Sequence, residues 1–149
     1  MPNAGAGAPV RIVLDTNVAL SALLWRGTPY QLLQSLRRSE HVQIFSSPVL
    51  LTELGTVLAR PVPTRRLALL GTPAYEVLTQ YIRAIELVTP VSIPRAVAAD
   101  PDDDHVIAAA IAAQADLVIT GDKALLAVGR YEDIRIVSPA EAIGLIAGS

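Results

Sequence analysis

Scanned for groups able to do chemistry, the sequence offers mainly carboxylates. Asp15 directly follows the aliphatic run Ile12-Val13-Leu14, and Asp122 follows Leu117-Val118-Ile119-Thr120-Gly121. Glu53 lies among apolar neighbours in Val49-Leu50-Leu51-Thr52-Glu53-Leu54, and Asp100, Asp102, Asp103 and Asp104 fall within one short segment. Taken singly, each has a plain structural explanation. Asp15 and Asp122 suit the N-cap of a following helix. Glu53 suits the wet face of an amphipathic helix, and acids at a helix start are favoured by its dipole. Taken together they suggest more, because carboxylates brought from separate segments to one place repel unless a cation or donor compensates. The matching ions are hard divalent cations with oxygen ligands, Mg²⁺ or Mn²⁺. Such an ion lowers the pKa of a bound water and stabilises charge developing on a phosphate, which is the physical case for phosphodiester hydrolysis.

Positioning those acids requires a particular scaffold. The aliphatic runs over Val10–Leu14, Val42–Phe45, within Asp116–Thr120 and over Ile134–Val137 read as short strands buried on both faces. Between them, helices are expected over Thr16–Leu24, Thr28–Arg38, Pro48 to about Ala59 (capped by Ser46 or Ser47), Ala74–Glu86, Gly121–Val128 and Pro139–Ile146. A further helix is expected to start at Asp102 or Asp103 and run to about Ala113, its alanines allowing a close approach to the sheet. Pro61–Pro73, rich in Pro and Arg, suggests a short helix between loops, and Leu87–Ile93 a strand interrupted by Pro90. Strands alternating with helices predict a three-layer α/β/α sandwich around a mostly parallel sheet of four to five strands. In such sheets sites form at the carboxyl ends of the strands, where Asp15 and Asp122 fall.

Composition narrows the classes. The 149 residues suit one domain spanning 1–149, with residues 1–9, small and Gly/Ala-rich, as a flexible start. At 52% hydrophobic but 4% aromatic, the core must be aliphatic. There is no cysteine, which excludes disulfides and thiolate chemistry. No apolar run approaches bilayer length and no signal-peptide pattern is visible, so a cytoplasmic protein without membrane contact is expected. A net charge of −2 argues against coating nucleic acid by bulk charge, while leaving a local site open.

Four segments then resemble, in order and spacing, the motifs of PIN domains. Val13-Leu14-Asp15-Thr16-Asn17-Val18 is similar to the first and Ser46-Ser47-Pro48-Val49-Leu50-Leu51-Thr52-Glu53-Leu54 to the second. Asp100-Pro101-Asp102-Asp103-Asp104-His105-Val106 is similar to the third, and Ile119-Thr120-Gly121-Asp122-Lys123-Ala124 to the fourth. The resemblance covers nearly the whole chain and is nearest the branch of toxin components of toxin–antitoxin systems related to VapC. It implies metal-dependent cleavage of RNA by an acidic cluster of Asp15, Glu53, Asp104 and Asp122 holding Mg²⁺ or Mn²⁺. It makes Asn17 and Thr120 polar supports, with Asp103 taken as a further support and the main ligand among Asp102, Asp103 and Asp104 left open, and it implies a homodimer and a cognate antitoxin. A PIN fold serving only as an RNA-binding or protein-assembly module is the competing reading.

Other readings fail on particular residues. A dehalogenase-like phosphatase needs a second Asp two positions after the first, where Asn17 stands. A receiver domain needs an Asp after its third strand, where this chain has Ser92-Ile93-Pro94. No Gly-rich phosphate loop is present. His41 and His105 read as surface or helix-start residues. Arg60, Arg65 and Arg66 form the densest basic stretch and are the candidates for holding an RNA backbone, with Arg26, Arg37 and Arg38 adding to it; a solvated basic face would look the same. Trp25 and Tyr30 could stack a base.

Overall fold

Each strand of this chain is built so that successive side chains enter opposite layers. The computed structural model describes residues 9–94 and 101–147, with only the backbone described for 101, 102 and 147. In β1 (Val10–Leu14), Ile12 and Leu14 face one core while Val13 faces the other, the two-residue period of a strand. β1 lies at the centre of a sheet ordered β3-β2-β1-β4-β6-β5, whose other strands are β2 (Val42–Ser46), β3 (Ile85–Leu87), β4 (Leu117–Ile119), β5 (Arg130–Tyr131) and β6 (Ile134–Val137). All neighbours are parallel except β5, which runs antiparallel to β6.

Helices cover both faces. One core joins Ile12, Leu14, Ile44, Leu117 and Ile119 to α1 (Thr16–Leu24), α2 (Thr28–Arg38), α3 (Pro48–Leu58), α4 (Pro61–Leu70), α5 (Ala74–Ala84) and α8 (Pro139–Ala147). The other joins Val13, Phe45, Val118 and Ile136 to α6 (Pro101–Ala112) and α7 (Lys123–Val128). Ala109, Ala110 and Ala113 have no side-chain bulk and are fully buried, so α6 lies close on the sheet as expected. This is the α/β sandwich with a largely parallel central sheet that the strand and helix pattern predicts. No helix among the described residues is long and apolar enough to cross a membrane.

Several boundaries differ from expectation for identifiable reasons. The Pro/Arg-rich stretch is a full helix, α4: Pro61 occupies its first turn, where no N–H is needed, and Gly71 ends it in the left-handed conformation at φ 68°. β3 begins at Ile85, directly after α5, and its last ladder bond is donated by the Val88 N–H to the Ser46 carbonyl at 2.9 Å. Pro90, lacking an N–H, falls beyond it, so the strand expected over Leu87–Ile93 is shorter and earlier. The sixth strand, β5, has two residues and leaves no periodic signature. α6 already begins at Pro101, so Asp102 and Asp103 occupy its first turn and do not cap it. The flexible start expected over residues 1–9 lies, except for Pro9, outside the described residues, as does Asp100.

Burial ranks the core positions for a stability test. Ile119 in β4 is fully buried between two parallel neighbours, whereas Ile111 on the outer face of α6 is 41% exposed. Urea unfolding is expected to show a loss of about 2–5 kcal/mol for Ile119→Ala and a change within about 0.5 kcal/mol for Ile111→Ala. Similar losses at both positions would mean that the outer face of α6 is covered.

Candidate functional site

The carboxyl ends of β1 and β4 deliver the first two acids. Asp15 follows β1 and stands at the N-cap position of α1 without a side-chain capping bond. Asp122 caps α7, accepting from the Leu125 N–H at 3.0 Å. Thr120, fully buried, links the two: its hydroxyl donates to Asp15 Oδ2 at 2.7 Å and accepts from the Asp122 N–H at 3.0 Å.

α3 supplies the third acid. Ser47 caps this helix by accepting from the Leu50 N–H, and Leu50, Leu54, Val57 and Leu58 anchor its buried side. Glu53, Val57 and Arg60 then follow one another at helical spacing and border the site. Thr16, the first residue of α1, donates its hydroxyl to Glu53 Oε1. This Thr was not singled out from the sequence, although it lies inside the first motif.

Together these residues line a cleft of about 180 Å³ bordered by Asp15, Asn17, Glu53, Arg60, Asp103 and Asp122. With Thr16 and Val57 the lining comes to eight residues, four of them acids. Of the α6 acids it is Asp103 that reaches the cleft. Asp104, rotated by about 100° along the helix, is buried but does not line it, so the structure places the expected support residue where the expected ligand was to be. Of the basic residues, Arg60 borders the cleft, Arg65 is exposed on α4, and Arg66 donates through Nε to the Leu24 carbonyl at 2.8 Å, tying α4 to the end of α1. His41 is exposed at the amino edge of the sheet and His105 is half-buried on α6. Trp25 packs against the core, and Tyr30 lies under the Arg26 guanidinium at 4.4 Å.

The expected metal centre is not formed. Among the described residues, no group of three or more His, Asp or Glu side chains is placed to hold a metal ion. This corrects the expectation of an Mg²⁺- or Mn²⁺-dependent ribonuclease with Asp15, Glu53, Asp104 and Asp122 as ligands. The physical reason is visible in the bonding. Asp15, Glu53 and Asp122 each have an oxygen committed to a donor of the protein itself, and Asp104 lies off the cleft. These internal donors offset part of the repulsion among the acids. Burial pushes the Asp15 carboxyl above the ordinary carboxylate range. The Thr120 hydroxyl and the Thr16 backbone oppose that shift, and the charges of Glu53 and Asp122 add to it.

With the geometry in hand, the relatives can be set beside it. A family model described as PIN domain matches residues 11–124. The chain belongs to the PIN-domain family. No curated protein sequence matches it. Among solved structures, PAE2754 from Pyrobaculum aerophilum is similar at a TM-score of 0.58 and 17% identity, over 94% of this chain and 91% of that one. VapBC2 from Rickettsia felis, bound to a DNA fragment from their promoter, is similar at 0.58 and 14%, over 87% and 98%. FitAcB from Neisseria gonorrhoeae is similar at 0.53 and 21%, over 87% and 98%. At these identities the likeness is one of fold.

Two expectations follow from this PIN-domain cleft. Asp15 has its pKa raised in the folded state, so its ionisation costs stability as pH rises through that raised value, and below the unfolded-state value the cost vanishes. Asp15→Asn keeps an acceptor for Thr120 and should melt above the wild type at pH 7, with the difference closing in acid. A lower melting temperature for the variant at neutral pH would contradict this. Millimolar Mg²⁺ or Mn²⁺ should leave the melting temperature where EDTA leaves it. A rise that grows with metal concentration and disappears in Asp15→Asn would reinstate a metal centre.

Proposed function

We propose that this chain is a PIN-fold assembly module that receives a partner protein, an antitoxin, in the cleft at the carboxyl edge of its sheet. The observation that carries the reading is the cleft's charge: Asp15, Glu53, Asp103 and Asp122 outnumber Arg60 there. Such a cleft repels a phosphate backbone and attracts a cation. A cleft of about 180 Å³ suits a single inserted side chain better than a folded surface. A guanidinium fits best, because its planar fork satisfies carboxylates in pairs. The likeness to VapBC2 and FitAcB supports a protein partner for a fold of this kind. Exposed Leu69, Tyr75 and Ile82 on α4 and α5 supply apolar surface for a second copy of the chain, the homodimer of this proposal.

The test uses a fluorescent hexa-arginine peptide as the probe, followed by anisotropy on the full chain. Binding should weaken with salt. It should fall about tenfold, equivalent to ~1.4 kcal/mol, in Glu53→Gln and in Asp122→Asn, the latter retaining a capping side chain. Equal affinity in wild type and both variants would sink the proposal, as would hexa-glutamate binding as well as hexa-arginine.

A further inference from the structure

At the opposite edge of the sheet, two arginines come together beside β2 and β3. At the amino ends of β2 and β3 lies a cavity of about 330 Å³, lined by Arg37, Ser39, Gln43, Ile44, Arg83 and Glu86 among others. Arg37 comes from the last turn of α2 and Arg83 from the last turn of α5, so two separate elements each contribute an arginine to the lining of one cavity. Both are exposed, and among the described residues neither forms an ion pair with a carboxylate. The one acid lining the cavity, Glu86, accepts from Gln43 Nε2 at 3.2 Å and keeps its charge, so the two arginines leave the lining one positive charge in excess.

The neutral groups complete the picture. Ser39 accepts the His41 N–H at 3.2 Å, which leaves its own hydroxyl proton available. Leu36 and Ile44, both buried, form an apolar floor that lowers the local dielectric and strengthens charge interactions above it. A helix C-terminus favours a nearby cation, which explains one Arg on each helix. It does not use the five donors each guanidinium presents, nor does it account for the two facing one cavity. A tetrahedral oxyanion accepts from both forks at once.

We propose that this cavity is a phosphate-binding site, separate from the acidic cleft and on the other edge of the sheet. It takes a phosphate group carried by a nucleic-acid backbone or by a small phosphorylated compound. The basic contact expected at Arg60, Arg65 and Arg66 moves, on this assignment, to Arg37 and Arg83.

The experiment is calorimetric titration of the full chain with inorganic phosphate, repeated with a single-stranded RNA oligonucleotide present as competitor. Arg37→Gln and Arg83→Gln should each weaken phosphate binding about tenfold, and both, as exposed substitutions, should leave the melting temperature unchanged. Arg65→Gln should bind as the wild type does. Displacement of phosphate by RNA would assign the site to a backbone phosphate, and binding undisturbed by RNA would assign it to a small phosphorylated compound. Either supports the site. Absence of phosphate binding at millimolar concentration, or equal binding in wild type and the Arg37→Gln/Arg83→Gln double variant, overturns it. Because the peptide test addresses Glu53 and Asp122 at the other edge, either proposal can fail alone.

Discussion

The hydrogen bond from Thr120 to Asp15 is the hinge on which the candidate site turns. It joins the residue after β1 to the residue after β4, the two central neighbours of the sheet. It is prepared by the ladder itself, since the Asp15 N–H donates to the Ile119 carbonyl at 2.9 Å and the Thr120 N–H to the Val137 carbonyl at 3.0 Å. Those backbone bonds place Thr120, and full burial with two bonds of its own holds the hydroxyl. The hydroxyl then holds Asp15 on one side and the Asp122 N–H on the other, so the entry to α7 and the entry to α1 are set by one buried side chain. A carboxylate buried there without that donor would carry the full cost of desolvation.

The acids are stable together for reasons that lie in the same topology. In a parallel sheet a strand commonly hands over to a helix at its carboxyl end, so α1 and α7 begin beside the cleft, while α3 borders it with its later turns. The N-terminal N–H groups of α1 and α7 carry partial positive charge directed at the acids. Added to this are the hydroxyls of Thr16 and Thr120, which donate to Glu53 and Asp15. The cluster is compensated by fixed dipoles. A sequence reading counts charges and infers a missing cation; the folded chain shows that donors already present are enough to hold three of these carboxylates.

That difference marks where sequence reasoning reached and where it stopped. The layers were readable because β-branched runs and helix-period leucines are local signals; Ile12, Val13 and Leu14 announce a two-sided strand by themselves. The meeting of Asp15 and Asp122 is readable through the rule that places sites at carboxyl ends, whereas Glu53, inside a helix, joins them only through the family resemblance. Their hydrogen-bond partners are not readable, because a 37-residue gap separates Thr16 from Glu53 and a 105-residue gap separates Asp15 from Thr120. The choice between Asp103 and Asp104 was equally hidden. Adjacent acids on a helix differ only by rotation, and the start of α6 at Pro101, one residue before the expected cap, is what sets that rotation.

The placing of the arginine-lined cavity opposite the acidic cleft follows from the same chain direction. Helices that begin at the carboxyl edge must end near the amino edge, where their exposed carbonyls favour cations. α2 ends in Arg37-Arg38 and α5 carries Arg83 in its last turn, while Asp15, Glu53, Asp103 and Asp122 line the cleft at the other end. A chain with net charge −2 can therefore present a cationic cavity and an anionic cleft without either being neutralised by the other, because the thickness of the sheet and its helices keeps them apart. The two edges are thus suited to partners of opposite sign, and one rigid parallel sheet fixes the distance between them.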